Sequence, residues 1–169
     1  MTQQQKERLA QLEAQLGPEL EQISHYIFTH AELGLQEYQS ATFLERYMEQ
    51  QGFSVTYLQP DAEGRVSLEA LQAALRPDTI LVSIMMVNNE SGAVMPIERM
   101  ARLTHRVCPN ALFHTDAVQG FFKLPFKAKT LGADLISISG HKIHGPKGVG
   151  ALYIRPGLPL PPFIHGIIR

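Results

Sequence analysis

The sequence predicts an α/β fold: a mostly parallel sheet with flanking helices, preceded by a helical amino-terminal segment. From about residue 53 onward, short apolar runs rich in β-branched residues alternate with segments that repeat apolar side chains every three or four positions. Such alternation is typical of a parallel sheet covered by helices. Residues 1–28 show the helical spacing alone. We therefore expect two parts, a helical segment at 1–52 and an α/β domain at 53–169.

The amino-terminal part is predicted to contain two helices. The first carries an apolar stripe at Leu9, Leu12, Leu16, Leu20, Ile23 and Ile27. Gly17 and Pro18 interrupt this stripe, which predicts a break or kink with Pro18 as the first residue of a new helical stretch. Ser40 is the expected cap of the second helix, which runs to Gln51 and has Gly52 as its C-cap.

The α/β part begins with a predicted strand at 53–58 and a helix that Ser67 caps and Pro77 stops. Residues 79–87 are so uniformly apolar that we expect a central parallel strand, buried on both faces. The next helix, 96–107, turns three apolar side chains inward: Ile97, Met100 and Leu103. Further strands are predicted at 111–113, 133–138 and 149–154.

Polar clusters follow three successive strands: 88–92 (Asn-Asn-Glu-Ser-Gly), 114–119 (His-Thr-Asp-Ala-Val-Gln) and 139–148. Open α/β sheets bind ligands at the carboxyl ends of their strands. In the third cluster, Ser139 and His141 offer side-chain donors, and Gly140 lets the backbone approach an anion. Lys142 supplies an amine that can form a Schiff base. This set suits an aldehyde cofactor carrying a phosphate. The alternative is a Gly- and Pro-rich surface turn with solvated lysines.

Taken together, the three clusters resemble the cofactor half of the cysteine desulfurases, over about residues 52–165. These are pyridoxal-phosphate enzymes of the class V aminotransferase group, with the type I fold. The resemblance implies that this part of the chain is an incomplete type I large domain. It also implies pyridoxal 5'-phosphate as the cofactor.

The resemblance assigns a role to each matching residue. It implies that Asp116 pairs with the ring nitrogen of the cofactor, and that Lys142 carries the cofactor and is the catalytic lysine. Asn89 and Gln119 match residues beside its phenolic oxygen. The remaining matches lie near the phosphate and the lysine: Ser139, Gly140 and His141.

Simpler interpretations remain open for several residues of these clusters. Asp116 could be an ordinary strand-end aspartate, and Lys147, the rival amine, a solvated lysine after the turn. We interpret His114 as a packed strand residue outside the site. His141 and His144 form a His-x-x-His pair, but without a third ligand the pair is a weak zinc signal, and we predict no metal site.

The activity implied by the resemblance is conversion of L-cysteine to L-alanine, with transfer of the sulfur to the enzyme. The family passes that sulfur to an acceptor protein in iron–sulfur cluster assembly, and its members are homodimers. Cys108 does not match the family's sulfur-accepting cysteine, and the match to its His-Gly-Gly-Gly segment departs at Ile167. We therefore expect a truncated chain that is inactive by itself, or else a non-catalytic remnant or partner-dependent subunit.

Residues of about 20–55 resemble a different family, the amino terminus of M20-type metal-dependent amidohydrolases and peptidases. This second resemblance suggests a chimera or a gene fusion. Four side chains in the segment are conceivable metal ligands: His25, His30, Glu32 and Glu37. Nothing in the sequence fixes their geometry, and an amidohydrolase fragment stays the less favoured alternative.

Composition narrows the class of protein further. A formal net charge of −1 gives no sign of nucleic acid or of an anionic membrane surface as a partner. No apolar run approaches the ~20 residues that span a bilayer, and the first residues lack the apolar core of a signal peptide. A single cysteine fits a reducing compartment, so we expect a cytoplasmic protein.

Overall fold

A computed structural model of the chain describes residues 3–32 and 38–158. Its helices are α1 (Gln3–Thr29), α2 (Tyr38–Gln50), α3 (Leu68–Ala74), α4 (Ile97–Val107) and α5 (Ala128–Leu131), with a 3₁₀ helix at Gly140–Ile143. Its strands are β1 (Leu81–Met85), β2 (Leu112–Asp116), β3 (Leu135–Ser139) and β4 (Gly150–Ile154). The described residues group into two units that divide between residues 55 and 56.

The first unit holds α1 and α2, and the predicted break at Pro18 is wrong. Helix α1 continues through Pro18, because a proline removes a single backbone hydrogen bond and the neighbouring turns keep theirs. Helix α2 begins at Tyr38, ahead of the predicted cap Ser40. The Glu32 carboxylate caps the first turn of α2: it accepts hydrogen bonds from the backbone amides of Gln39 and Ser40, each at 2.9 Å. Among the described residues, no helix combines the length and apolar character needed to cross a membrane.

The second unit is built on a sheet in the order β1-β2-β3-β4. Strands β1, β2 and β3 are parallel, and β4 returns antiparallel to β3. This confirms the predicted α/β class with a mostly parallel sheet. The predicted cap of α3 is also confirmed: the Ser67 hydroxyl accepts from the Ala70 amide at 3.0 Å.

One face of the sheet is buried and the other is open in the described chain. The core lies on the buried face, where strand residues pack with side chains of α3, α4 and α5: Val82, Ile84, Phe113, Ile136, Leu71, Met100, Leu103 and Leu131. The predicted burial of β1 on both faces is wrong, because Leu81 is 50% exposed. Strand β1 pairs only with β2 among the described residues, so its uniformly apolar run ends at a sheet edge.

The predicted strand at 53–58 is also wrong. This stretch has no regular secondary structure, and Phe53 and Tyr57 are 44% and 50% exposed. A strand needs a neighbour to receive its backbone hydrogen bonds, and no described strand pairs with this segment. The β-branched and aromatic residues of this stretch are therefore insufficient by themselves to form a strand.

Candidate functional site

The topology brings three loops to one edge of the sheet. Because β1, β2 and β3 are parallel, their carboxyl ends face the same way, and the segments that follow them start at a common edge. These segments contain all of the predicted site residues: Asn89 after β1, Asp116 and Gln119 at and after β2, and Ser139, Gly140, His141 and Lys142 at and after β3. The carboxyl edge of the sheet is therefore the candidate site.

Asp116 supplies the negative charge at this edge. It is the last residue of β2, half-buried, and in register with Met85 of β1 and Ser137 of β3. Its Oδ1 accepts a hydrogen bond from the Val118 amide at 2.8 Å, which fixes the carboxyl group at the strand end. Within the described residues, its Oδ2 accepts no hydrogen bond. That oxygen is available to a cationic donor on a ligand.

The turn after β3 carries the cationic side chains. A hydrogen bond of 2.7 Å joins the Ser139 hydroxyl to Nδ1 of His141. His141 and Lys142 lie on the exposed 3₁₀ helix, and in the part of the chain that the structure describes the Lys142 amine makes no hydrogen bond or ion pair. The turn is tight: a Cβ atom on Gly145 would lie 3.0 Å from the Gly140 carbonyl oxygen. A side chain at this position would crowd the Gly140 backbone, so glycine suits this close crossing.

The two predicted amide side chains are occupied by their neighbours. Asn89 is exposed and donates to the Glu90 carboxylate at 2.7 Å, while the Gln119 carbonyl accepts from the Lys123 amine at 3.2 Å. Both residues lie at the correct edge, but among the described residues neither side chain is hydrogen-bonded to Asp116. Asn88 orders the first loop by accepting from the backbone amide of Glu90 at 3.0 Å, as its residue type suggested.

His114 was left out of the predicted site, yet the structure places it beside Asp116. Alternate residues of a strand share a face, so His114 lies on the same open face. Its Nδ1 is hydrogen-bonded to the Ser83 hydroxyl and its Nε2 to the Ser137 hydroxyl, each at 2.8 Å. Burial lowers the pKa of His114, against an opposing effect of the Asp116 carboxylate. The sequence did contain a signal for this placement, because residues two apart in a strand, such as His114 and Asp116, lie on the same face.

This arrangement suits a ligand with a cation at one end and an anion at the other. Asp116 faces Ser137 in register, and Ser139 lies two residues further along β3. Strand spacing and rise then place the backbones of Asp116 and Ser139 roughly 8 Å apart. A small planar ring with an anionic group spans that distance. The carboxylate can hold a protonated ring nitrogen, and the hydroxyl, imidazole and ammonium groups after β3 can hold the anion.

The residues considered as metal ligands do not form a cluster. Across residues 3–32 and 38–158, no group of three His, Cys, Asp or Glu side chains could hold a metal ion. Glu32 acts instead as the cap of α2. His30 stacks on Tyr26, with ring centroids 4.0 Å apart, and Glu37 lies outside the described residues.

A family model of class-V aminotransferases matches residues 15–166 of the chain. The chain is 50% identical over 120 residues to a cysteine desulfurase IscS of Dictyoglomus turgidum, which covers 71% of this chain and 30% of that protein. It is 52% identical over 108 residues to a cysteine desulfurase IscS of Anaeromyxobacter dehalogenans, covering 64% of this chain and 26% of that protein. The chain thus spans less than a third of the length of these relatives.

Solved structures give the same pattern of similarity. A NifS-like protein superposes with a TM-score of 0.69 at 44% sequence identity, over 77% of this chain and 36% of that one. SspA in complex with cysteine superposes with a TM-score of 0.68 at 42% identity, over 77% of this chain and 38% of that one. The comparisons do not support the amidohydrolase alternative, and the family match includes all of the segment at about 20–55 for which it was considered.

Proposed function

Because the chain belongs to the class-V aminotransferase family, whose members use pyridoxal phosphate, we propose that the carboxyl edge of its sheet binds this cofactor in a cysteine desulfurase-like protein. The predicted resemblance to the cysteine desulfurases is confirmed by relatives that are about half identical to the chain. One structural observation supports the proposal most: Asp116, whose Oδ2 has no hydrogen-bond partner among the described residues, is in register with Ser137 on the strand that leads to Ser139 and Lys142.

The residues at this edge fit the chemical parts of pyridoxal phosphate. A pyridine ring that is protonated at nitrogen matches the Asp116 carboxylate, and the phosphate matches the donors of Ser139 and His141. The aldehyde requires an amine, and Lys142 offers one that is not engaged within the described residues. Gly140 and Gly145 keep the turn narrow, and their amides donate to the carbonyls of Val149 and Gly140, so the side chains after β3 are the donors offered to an anion.

When bound, pyridoxal phosphate supplies a ring that withdraws electrons from the carbon next to a substrate amine. Asp116 would hold the proton on the ring nitrogen, where a carboxylate partner keeps the ring positively charged. Lys142 would hold the cofactor covalently and then move a proton at the substrate carbon. Asn89 and Gln119 would orient the ring oxygen by donating amide N–H groups to it, since the bond with Lys123 uses only the Gln119 carbonyl.

The substrate and the partners are part of the same proposal. L-cysteine is supported by the resemblance, and a structurally similar protein was solved in complex with cysteine. By the same resemblance we propose transfer of sulfur to an acceptor protein for iron–sulfur cluster assembly and a homodimeric state. From the single cysteine, which fits a reducing compartment, we propose a cytoplasmic location. The two-part organisation, a helical segment at 1–52 before the desulfurase-like part, remains a proposal as well.

Covalent capture of the cofactor tests the proposal. We expect the purified chain mixed with pyridoxal phosphate to absorb in the visible range, and borohydride reduction followed by peptide mapping to place the cofactor on Lys142. Lys142→Ala should remove both signals, whereas the matched control Lys147→Ala should keep them. A label spread evenly over Lys142, Lys147 and other surface lysines would contradict the proposal and favour the non-catalytic alternative.

A further inference from the structure

A row of polar side chains crosses the open face of the sheet directly behind Asp116. Ser83 of β1 and His114 of β2 are in register, and Ser137 of β3 lies opposite Asp116. His114 is hydrogen-bonded to both serines at 2.8 Å, so its imidazole is held between β1 and β3. An imidazole fixed by both nitrogens cannot rotate away without losing a hydrogen bond.

The two serines suit an uncharged imidazole as well as a charged one. A neutral imidazole donates through one nitrogen and accepts through the other, and a serine hydroxyl can take either part. Half-burial favours the neutral form, since removing a charge from water is costly. The register neighbours of His114 are the uncharged Ser83 and Leu135. Among the described residues, the charged group that acts on His114 is the Asp116 carboxylate.

The separation of His114 from Asp116 makes the charge state of this imidazole important. Two residues along a strand place their backbones ~6.6 Å apart on one face. A protonated His114 would then act on the Asp116 carboxylate as a second cation, competing with any cation that a ligand brings. A neutral His114 leaves the full attraction of the carboxylate to the ligand.

We propose that His114 is a positioning residue for Asp116, held as an uncharged imidazole between Ser83 and Ser137 so that the carboxylate remains available to a cationic ring nitrogen. This role rests on the proposed function. His114, held by the two serines, affects cofactor binding through Asp116 and needs no contact with the cofactor. The two effects are thermodynamically linked. Protonation of His114 weakens the binding of a cation at Asp116 by a certain factor, and a cation bound at Asp116 disfavours protonation of His114 by the same factor.

The coupling can be measured first without any cofactor. Titration of the histidine ring signals by NMR in the unliganded chain should show that Asp116→Asn lowers the midpoint of His114, because the favourable charge is gone. The matched control Asp78→Asn, an exposed surface carboxylate, should leave that midpoint unchanged. An equal midpoint in all three proteins would overturn the proposal.

The second measurement is the dissociation constant of pyridoxal phosphate as a function of pH. We expect protonation of His114 to weaken binding by roughly two- to fourfold, because the imidazolium would repel the ring nitrogen across more than the ~6.6 Å between the backbones of His114 and Asp116. His114→Gln, which keeps a neutral hydrogen-bonding side chain, should lose this acid-dependent part and retain affinity at pH 8. His25→Gln, on an exposed helix surface, is the control.

The outcomes separate this role from the proposed function. If the chain binds the cofactor and the His114→Gln profile follows that of the wild type at every pH, the positioning role is wrong and the cofactor site stands. If no variant binds pyridoxal phosphate while Asp116→Asn still shifts the His114 midpoint, the cofactor site is wrong and the coupling of His114 to Asp116 stands.

Discussion

Arg155 donates through Nε to Oδ1 of Asp134 at 2.6 Å, and Asp134 is only 1% exposed. The other carboxylate oxygen of Asp134 accepts from the backbone amide of Phe113 at 2.7 Å and pairs with Nε2 of His105 at 2.8 Å. One carboxylate therefore ties α4, the start of β2 and the segment after β4 together. These contacts lie at the amino edge of the sheet, opposite the candidate site.

Replacing Asp134 with asparagine should destabilise the fold strongly. The change removes the charge of a buried carboxylate that has three partners, and the loss of hydrogen bonds to a charged group costs about 2–3 kcal/mol. The control is Asp78→Asn, whose carboxylate is 75% exposed beside Arg76 and should contribute about 1 kcal/mol or less. Urea denaturation at pH 7 measures both. Similar losses of unfolding free energy in the two variants would contradict this account of the cluster.

The Asp134 cluster should also make stability depend on acid pH. Burial raises the pKa of Asp134, but the hydrogen bonds from Phe113, His105 and Arg155 outweigh it and hold the pKa below the usual 3.8. The folded state then binds fewer protons than the unfolded state between the two pKa values. The contribution of the Asp134 carboxylate to the free energy of unfolding is thus complete above pH 3.8, and it is lost as the pH falls through the folded-state pKa.

Urea denaturation of the wild type and Asp134→Asn at several pH values checks this dependence. The difference in unfolding free energy should shrink steadily as the pH falls below about 4. A difference that stays constant down to pH 2.5 would mean that Asp134 titrates normally in the folded protein.

Thr115 offers a substitution that should stabilise the fold. Its hydroxyl is buried and has no hydrogen-bond partner among the described residues, and valine has nearly the same shape. Thr115→Val should raise the free energy of unfolding by about 1 kcal/mol. Thr79→Val is the opposite control, because its hydroxyl accepts from the Arg76 amide at 2.9 Å and its loss should cost about 1 kcal/mol. A destabilised Thr115→Val variant would point to an internal partner for that hydroxyl.

Local signals predicted the second unit well. Ser67 caps α3 as its residue type suggested, and the helical spacing of Ile97, Met100 and Leu103 gave the buried stripe of α4. These features depend on nearest neighbours along the chain. The run at 53–58 failed because strand formation depends on a partner that no local pattern specifies.

The candidate site was predictable in position but not in detail. Polar residues at strand ends indicated the carboxyl edge, because parallel strands bring their ends together. The direction of the Asn89 and Gln119 side chains was not predictable, since it depends on charges at Glu90 and Lys123 rather than on the motif. The role of His114 depends on serines 31 and 23 residues away, which sequence spacing does not bring together.

Cys108 lies at the far side of the sheet from the candidate site. It follows α4 and precedes β2, while Asp116 is the last residue of β2. The four residue steps of β2 alone extend over ~13 Å. The Cys108 side chain is buried and its thiol donates to the carbonyl of Arg76 at 3.1 Å. Nothing in this position would let the thiol reach a substrate held beside Asp116.

We therefore expect Cys108 to have no part in sulfur transfer. A thiol must contact the sulfur of the bound substrate to accept it, and a separation of this size removes that possibility. With pyridoxal phosphate, L-cysteine and a reductant, Cys108→Ser should release sulfide and alanine at the rate of the wild type, even if that rate is zero. A thiol reagent should label Cys108 slowly in the native chain and at once in urea, since burial protects it. Sulfide release that disappears in Cys108→Ser, together with fast native labelling, would place this cysteine in the site and refute its assignment to the opposite edge.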